Sequence, residues 1–446
     1  MEHKMDGQKI GVVKATSLVA GNMIGSGVLL APAILAPYGS MAIIGWIVTT
    51  IGALALALAF SKLSIWIPRS GGPYTYAKHV FGDFVGFQMA WGYWISAWCG
   101  SVSLLSGTLQ YMSIFCPSLV ANQMFSIGFG IALIALFTFI NMRGIKESTF
   151  IEVIIVAIKI LPLIIIAVFG IFYVDFSDLF DATGVSNGSF LSSFGGMSVT
   201  LLWAFIGLES GTVPSDSVEN PTKTIPMATI AGVLLTAAVY ICGAIVITGV
   251  IPHAALLASK APYVDAATKI FGEYGALAMI VTGTIGLAGS LNGWILLQGQ
   301  VASSAASEGL FPKYFLKTNK YGAPRGVVVG SILMMAVFLL TYQESVMEHV
   351  KLLIEMSVLA MLLPYFYSAV AFCYLAVGRK KEFSPVEKCF LSIIGVISIL
   401  YTFIAIFGSE EKMVFLAFAM FLISVPFYCS TKKNKRENAI KLLRNH

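Results

Sequence analysis

The chain has 446 residues, 57% of them hydrophobic and 11% charged, where soluble domains carry about 25% charged residues. Its mean hydropathy is +0.85, which excludes a soluble enzyme. The net charge of +6 is no nucleic-acid signature, because the basic residues sit between apolar runs. Those runs are about 20 residues each, enough to span a bilayer core of roughly 30 Å. They predict an all-α polytopic membrane protein with helices over 12–34, 41–64, 84–115, 124–142, 150–173, 197–217, 226–250, 275–305, 326–342, 351–376, 386–407 and 412–430. Twelve spans put nearly every Lys and Arg on one side, with Lys260, Lys269, Lys351 and Lys412 opposite and Lys159 within a span. By the positive-inside rule, both termini are then cytoplasmic, in the cytoplasmic (inner) membrane.

The N-terminal apolar run lacks a small-residue cleavage site, so the first helix is expected to be uncleaved. The six cysteines show no CxxC or Cys/His spacing. Neither a disulfide framework nor a metal site is expected, and no cofactor.

Within the spans, helix breakers and ionisable groups carry the information, since irregular backbone at membrane depth survives only beside protein or a water-filled cavity. Span one holds Gly21-Asn22-Met23-Ile24-Gly25-Ser26-Gly27, with Pro32 a turn later. Each glycine lowers helix stability by roughly 1 kcal/mol. Two readings stay open: a Gly-x-x-x-Gly packing face, or an unwound segment whose freed N–H groups bind a carboxylate. Span five carries Lys159 about ten residues in, too deep to snorkel easily. It is a structural strut or a proton-coupled switch. Span six, Trp203-Ala204-Phe205-Ile206-Gly207-Leu208-Glu209-Ser210-Gly211, repeats the glycine interruption and adds a carboxylate. Glu209 costs several kcal/mol there unless solvated, paired or protonated. Its functional reading stands beside that of a structural hydrogen-bonding acid. Interruptions five helices apart are what an inverted repeat with a midplane site produces. Span eight adds Gly289-Ser290-Leu291-Asn292-Gly293-Trp294, an aromatic among small polar residues.

With Gly25-Ser26-Gly27, Trp203 to Glu209, Glu219-Asn220-Pro221 and Glu308-Gly309-Leu310-Phe311-Pro312 in place, the chain resembles the amino acid–polyamine–organocation transporters. Within them it is most similar to the bacterial basic amino acid/polyamine antiporters typified by the arginine/agmatine antiporter. The resemblance covers nearly the whole chain. It implies one transmembrane domain of two inverted five-helix repeats (12–173 and 197–376) with helices 1 and 6 interrupted, two peripheral helices (386–430) and a basic cytoplasmic tail (431–446). It also implies alternating access around a central amino acid or amine, often in a homodimer.

Carried over residue by residue, the resemblance gives Ser26 and Gly27 the substrate carboxylate, with Met23 nearby, and gives the backbone around Trp203, Ala204 and Ile206 the α-amino group. Trp203 and Trp294 would stack on the substrate or gate its path. Tyr93 and Tyr365 would close the outer and inner sides, with Ser357 near the latter, and Glu209 would link pH to transport. Two features depart from the antiporter pattern. Where those antiporters carry a substrate-recognising asparagine in span three, this chain has Ser101, after Ser96 and Ala97, which argues against a long cationic substrate. Lys159 resembles the span-five lysine of related permeases, where an amine stands in place of a sodium ion.

The expected function is secondary transport of an amino acid or its amine product by exchange, with Glu209 and Lys159 as coupling groups. Proton-coupled uptake without obligatory exchange is the alternative, and a non-transporting sensor a remote one. An intramembrane enzyme would need a nucleophile, base or metal set that the spans lack, and no nucleic-acid partner is expected.

Overall fold

A computed structural model describes residues 9–176, 190–341, 346–379, 382–409 and 411–444. Among these the fold is helical without strands. The helices introduced here are α1 (Val12–Met23), α2 (Ser26–Leu35), α3 (Met41–Trp66), α4 (Pro73–Phe81), α5 (Asp83–Met112), α6 (Gln123–Asn141), α7 (Ile145–Gly170), α8 (Phe190–Phe205), α9 (Pro221–Val250), α10 (Pro262–Ser307), α11 (Gly326–Thr341), α12 (Val346–Gly378), α13 (Pro385–Phe407) and α14 (Glu411–Arg444). Nine segments among the described residues are helical, long and apolar enough to cross a membrane, one of them α1 and α2 taken together. Two shorter apolar helices end α8 and form α11. α5, 30 residues long, also has the length to cross.

Burial follows the bilayer rather than water. On α3, Ile44, Ile47 and Ile51 lie exposed at helical spacing, while Ala53, Ala57 and Phe60 on the same helix are buried. On α7 the exposed stripe is Leu161, Ile164, Ile165 and Val168. Apolar surface of this kind costs nothing against lipid, so helix contacts rest on close packing and interhelical hydrogen bonds. α5 packs against α10 and α12, α7 against α10 and α1, and α9 against α3 and α1. α1 and α5, with most of their residues buried, thereby lie inside the bundle.

Several features differ from the sequence expectation, among them the starts of α7 at Ile145 and α9 at Pro221 instead of 150 and 226. The span-six helix stops at Phe205 and residues 206–214 form successive turns, short of the expected 217. α10 begins at Pro262 instead of 275, and Gly272, at φ 68°, divides it. α14 continues past 430 to Arg444. Between the expected spans 41–64 and 84–115, α4 is a nine-residue helix between Gly72 (φ 62°) and Gly82 (φ 86°), two backbone conformations that favour glycine. His3, Lys4, Lys380, Lys381, His446, and the side chains of Lys351 and of the tail beyond Lys432 lie outside the described residues.

Candidate functional site

The first span is interrupted where its glycines cluster. α1 ends at Met23, Ile24 and Gly25 are extended, and α2 starts at Ser26 without a side-chain cap. The helix N-terminus therefore presents the amides of Ser26 and Gly27 with no intrahelical acceptor. The span is thus unwound here, and Gly21 is also a packing contact: a Cβ there would strike the Glu152 carboxylate and approach Val156 of α7.

The second interruption lies directly against the first. Gly207 has φ 111°, and a Cβ on it would come within 3.0 Å of the Asn22 carbonyl carbon. A Cβ on Gly27 would come within 3.0 Å of Ala204 Cα. Glycine at these two positions lets the broken backbones touch.

Breaking a helix leaves carbonyls without partners, and the structure supplies one for each. The Gly21 carbonyl accepts from Lys159 Nζ, the Asn22 carbonyl from Trp294 Nε1 at 3.2 Å, and the Met23 carbonyl from the Tyr240 hydroxyl at 2.7 Å. The Tyr240 hydroxyl also lies 2.8 Å from the Ala204 carbonyl, so it bridges the two interruptions. Ser290 Oγ accepts from Lys159 Nζ at 3.0 Å and lies 3.1 Å from the Ile24 carbonyl. Lys159 is buried, at the carbonyl end of α1, where the helix dipole favours a cation. Asn22 Nδ2 donates to Ser210 Oγ at 2.9 Å, tying α1 to the turns after α8.

Two cavities meet at this junction. A small one of about 10 Å³, room for about one water, is lined by Asn22, Met23, Gly25, Ser26, Gly27, Leu104, Trp203, Ile206 and Trp294. Above it a vestibule of about 510 Å³ runs from Ser26, Gly27 and Trp203 past Thr200 and Glu355 to Tyr38 and Ser409. That volume is in the range of small-molecule sites.

The other face of the junction is sealed. The Tyr93 hydroxyl donates to Glu209 Oε1 at 2.7 Å, the Tyr365 hydroxyl donates to Glu209 Oε2, and the Gly207 amide donates to the same Oε2 at 3.2 Å. Tyr93, Tyr365 and Glu209 are all buried, and Phe60 meets the Tyr365 ring edge-on, its centroid 5.6 Å away. The assignment of Tyr93 and Tyr365 to opposite sides is corrected here: both phenols converge on one carboxylate and belong to one seal.

Of the other sequence-derived residues, Ser96 and Ser357 pair with each other, their hydroxyls 3.0 Å apart and Ser357 Oγ 2.8 Å from the Ser96 carbonyl. They lie behind Trp203, whose ring packs on Gly100 beside Ser357. Ser101 donates to the Ala97 carbonyl of its own helix at 2.6 Å. Neither Ala97 nor these serines line the two cavities. Trp203 Nε1 donates to Ser26 Oγ at 3.3 Å, spanning the junction. Sequence reasoning missed Tyr240, a single tyrosine in an apolar run with no local signal, and Glu152, which the expected helix start at 150 placed at the membrane surface.

The sequence that builds this site has relatives among known proteins. The model of a family described as "Amino acid permease" matches residues 10–428. The chain belongs to the amino acid permease family. This permease is 32% identical to the cadaverine/lysine antiporter of Escherichia coli (strain K12) over 445 residues, covering 97% of this chain and 96% of the relative. It is 30% identical to the putrescine transporter PotE of the same strain, covering 93% and 94%. It is 30% identical to a putative arginine/ornithine antiporter of Bacillus subtilis (strain 168), covering 97% and 99%. The permease is thus a multi-pass membrane transporter and not an enzyme.

Proposed function

We propose that the protein exchanges an amino acid, or the amine derived from it, across the cytoplasmic membrane by alternating access. One observation carries this: the amide end of α2 and the carbonyl end of α8 face each other at the floor of the vestibule, Gly27 against Ala204. An N-terminal dipole favours a carboxylate and a C-terminal one an ammonium, so the pair complements the α-carbon of an amino acid. Ser26 and Gly27 hold the carboxylate beside Met23, and the backbone around Trp203, Ala204 and Ile206 takes the amine. Trp203 and Trp294 cover the substrate, while Ser96, Ala97, Ser101 and Ser357 shape the space beyond Trp203. The relatives' names support amino acids and polyamines as the substrate class. The three donors on Glu209 support its role as the pH-linked latch of the seal, because a carboxylate accepts from all three whereas a protonated one must itself donate.

Twelve crossings in two inverted repeats with both termini inside suit the two facing interruptions. In that orientation the vestibule opens outward and the tyrosine seal lies inward. A homodimer is the assembly the resemblance implies. A second reading, proton-coupled uptake, rests on Lys159, whose ammonium fills the place at the α1 break that a bound cation would take.

Counterflow in proteoliposomes decides between them. Vesicles are loaded in turn with lysine, arginine, ornithine, cadaverine, putrescine and neutral amino acids, and uptake of the same labelled compound is followed at two pH values. Uptake only into loaded vesicles supports exchange and names the pair. Uptake into empty vesicles under a proton gradient replaces exchange with proton-driven uptake.

A further inference from the structure

Glu152 is a buried carboxylate that the transport scheme above does not use. It lies on α7 seven residues before Lys159, two turns away on the same face and about 10 Å along the axis. Its Oε2 accepts from Asn292 Nδ2 at 3.2 Å. Its Oε1 is buried without a hydrogen-bond partner among the described residues and lies against Gly21, at the spot a Cβ would occupy. The Gly21 carbonyl is the acceptor of the Lys159 ammonium. The end of α1 is therefore held between an amine it satisfies and a carboxylate oxygen that nothing satisfies. A buried charge left without a partner is strongly destabilising. Lys159 must consequently keep an acceptor in any state in which the broken end of α1 withdraws. Helical side chains lean toward the N-terminus, which aims Lys159 back along α7 toward Glu152.

We propose that Glu152 is the alternate acceptor of the Lys159 ammonium: the amine bonds the Gly21 carbonyl in the state seen here and passes to Glu152 Oε1 when α1 moves. Glu152 is a positioning residue in this scheme, acting through Lys159 on the α1 break. The proposal rests on the alternating-access reading for its second state. The helices packed on α7 are α1, α6, α9 and α10. Their charged side chains, Lys14, Lys223, Asp265, Lys269 and Glu273, stand near helix ends, and α6 carries none. On α7 itself, Lys159 is the charged residue that shares the helix face of Glu152, two turns on.

The test is a double-mutant cycle on the full-length protein with Glu152→Gln, Lys159→Met and the two combined. Melting in detergent and counterflow with the compounds accepted by the wild type are both read. Each single variant leaves one buried charge alone, so each is expected to melt earlier and to exchange at least ~tenfold more slowly, whereas the neutral double variant loses less than the two combined, as coupled neighbours do. Glu152→Gln also moves the alkaline limb of the exchange profile to lower pH, which loss of packing alone does not do. Additive melting shifts, or a Glu152→Gln protein with wild-type melting, rate and pH profile, overturn the proposal. Melting needs no substrate: a wild type silent in counterflow refutes the transport reading, while the melting cycle still decides whether the pair exists.

Discussion

At the scale of single residues, Glu209 shows how much rests on hydrogen-bond accounting. Three donors converge on its carboxylate, and hydrogen bonds to an ionised acceptor are each worth about 1.5–3 kcal/mol. Glu209→Gln keeps the shape but replaces one acceptor oxygen with a donor amide, which opposes a Tyr hydroxyl or the Gly207 amide. Exchange is expected to fall at least about tenfold, one such bond's worth, and to lose the acid limb of its pH profile. A Glu209→Gln protein with the wild-type rate and pH profile in proteoliposomes would remove Glu209 from the coupling role. The sequence made this residue conspicuous, since a carboxylate among Trp203, Phe205 and Leu208 has no cheap explanation. Its partners were less legible. Tyr93 lies 116 positions away and Tyr365 lies 156, and only folding shows that both phenols serve the same oxygen pair.

Among the helical elements, interruptions were legible and their consequences were not. Three glycines within seven residues marked the end of α1, because no other stretch of that span weakens helix as much. Which groups would take the freed carbonyls depends on α7, α9 and α10, and those side chains carry no local mark. α4 was hidden for a different reason: a nine-residue helix is too short to show a clear apolar period, and flanking glycines suggest loop. A polar network then locks α6, α7 and α10 together. Asn292 Oδ1 accepts from Asn141 Nδ2 at 3.0 Å and lies 3.2 Å from Ser148 Oγ, while its amide donates to the Ser148 carbonyl at 3.0 Å and to Glu152. Asn292→Ala removes all four and strips the buried Glu152 carboxylate of its Asn292 donor, at a cost of about 1–3 kcal/mol. The expected result is a clear loss of thermal stability in detergent, and at least as large a loss for Asn292→Asp, which keeps the acceptor but sets a second carboxylate oxygen against Glu152 and the Ser148 carbonyl. Equal melting of wild type and the alanine variant would show that the network adds nothing.

For the whole molecule, the end beyond the tyrosine seal is tied across four parts of the chain. Lys78 of α4 bonds Glu308, just after α10, at 2.6 Å and lies 3.9 Å from Asp83 at the start of α5; Asp83 in turn pairs with Lys432 of α14 at 2.7 Å. Lys78 and Glu308 are mostly shielded, with side chains 22% and 15% exposed, whereas the Asp83–Lys432 pair is more open and screened by salt. Exposed pairs contribute little to stability, about 0–1 kcal/mol. Under the alternating-access proposal that small size suits a contact that breaks in every cycle, because a gate held by many kcal/mol would not open. The packing of α4 against α5 and α12 makes the pair sensitive to any tilt of the helices that carry Tyr93 and Tyr365. Glu308→Gln weakens the tie without touching the vestibule. It is expected to change melting by about 1 kcal/mol or less while raising the labelling rate of a single cysteine placed on the seal side, at Tyr76, by several-fold. High salt should raise wild-type labelling in the same direction, and raise it less in the variant, which keeps only the Asp83–Lys432 pair. If Glu308→Gln labels like the wild type at low and high salt, this end of the bundle is held by the Tyr93–Glu209–Tyr365 seal alone, and the ion pairs are surface decoration.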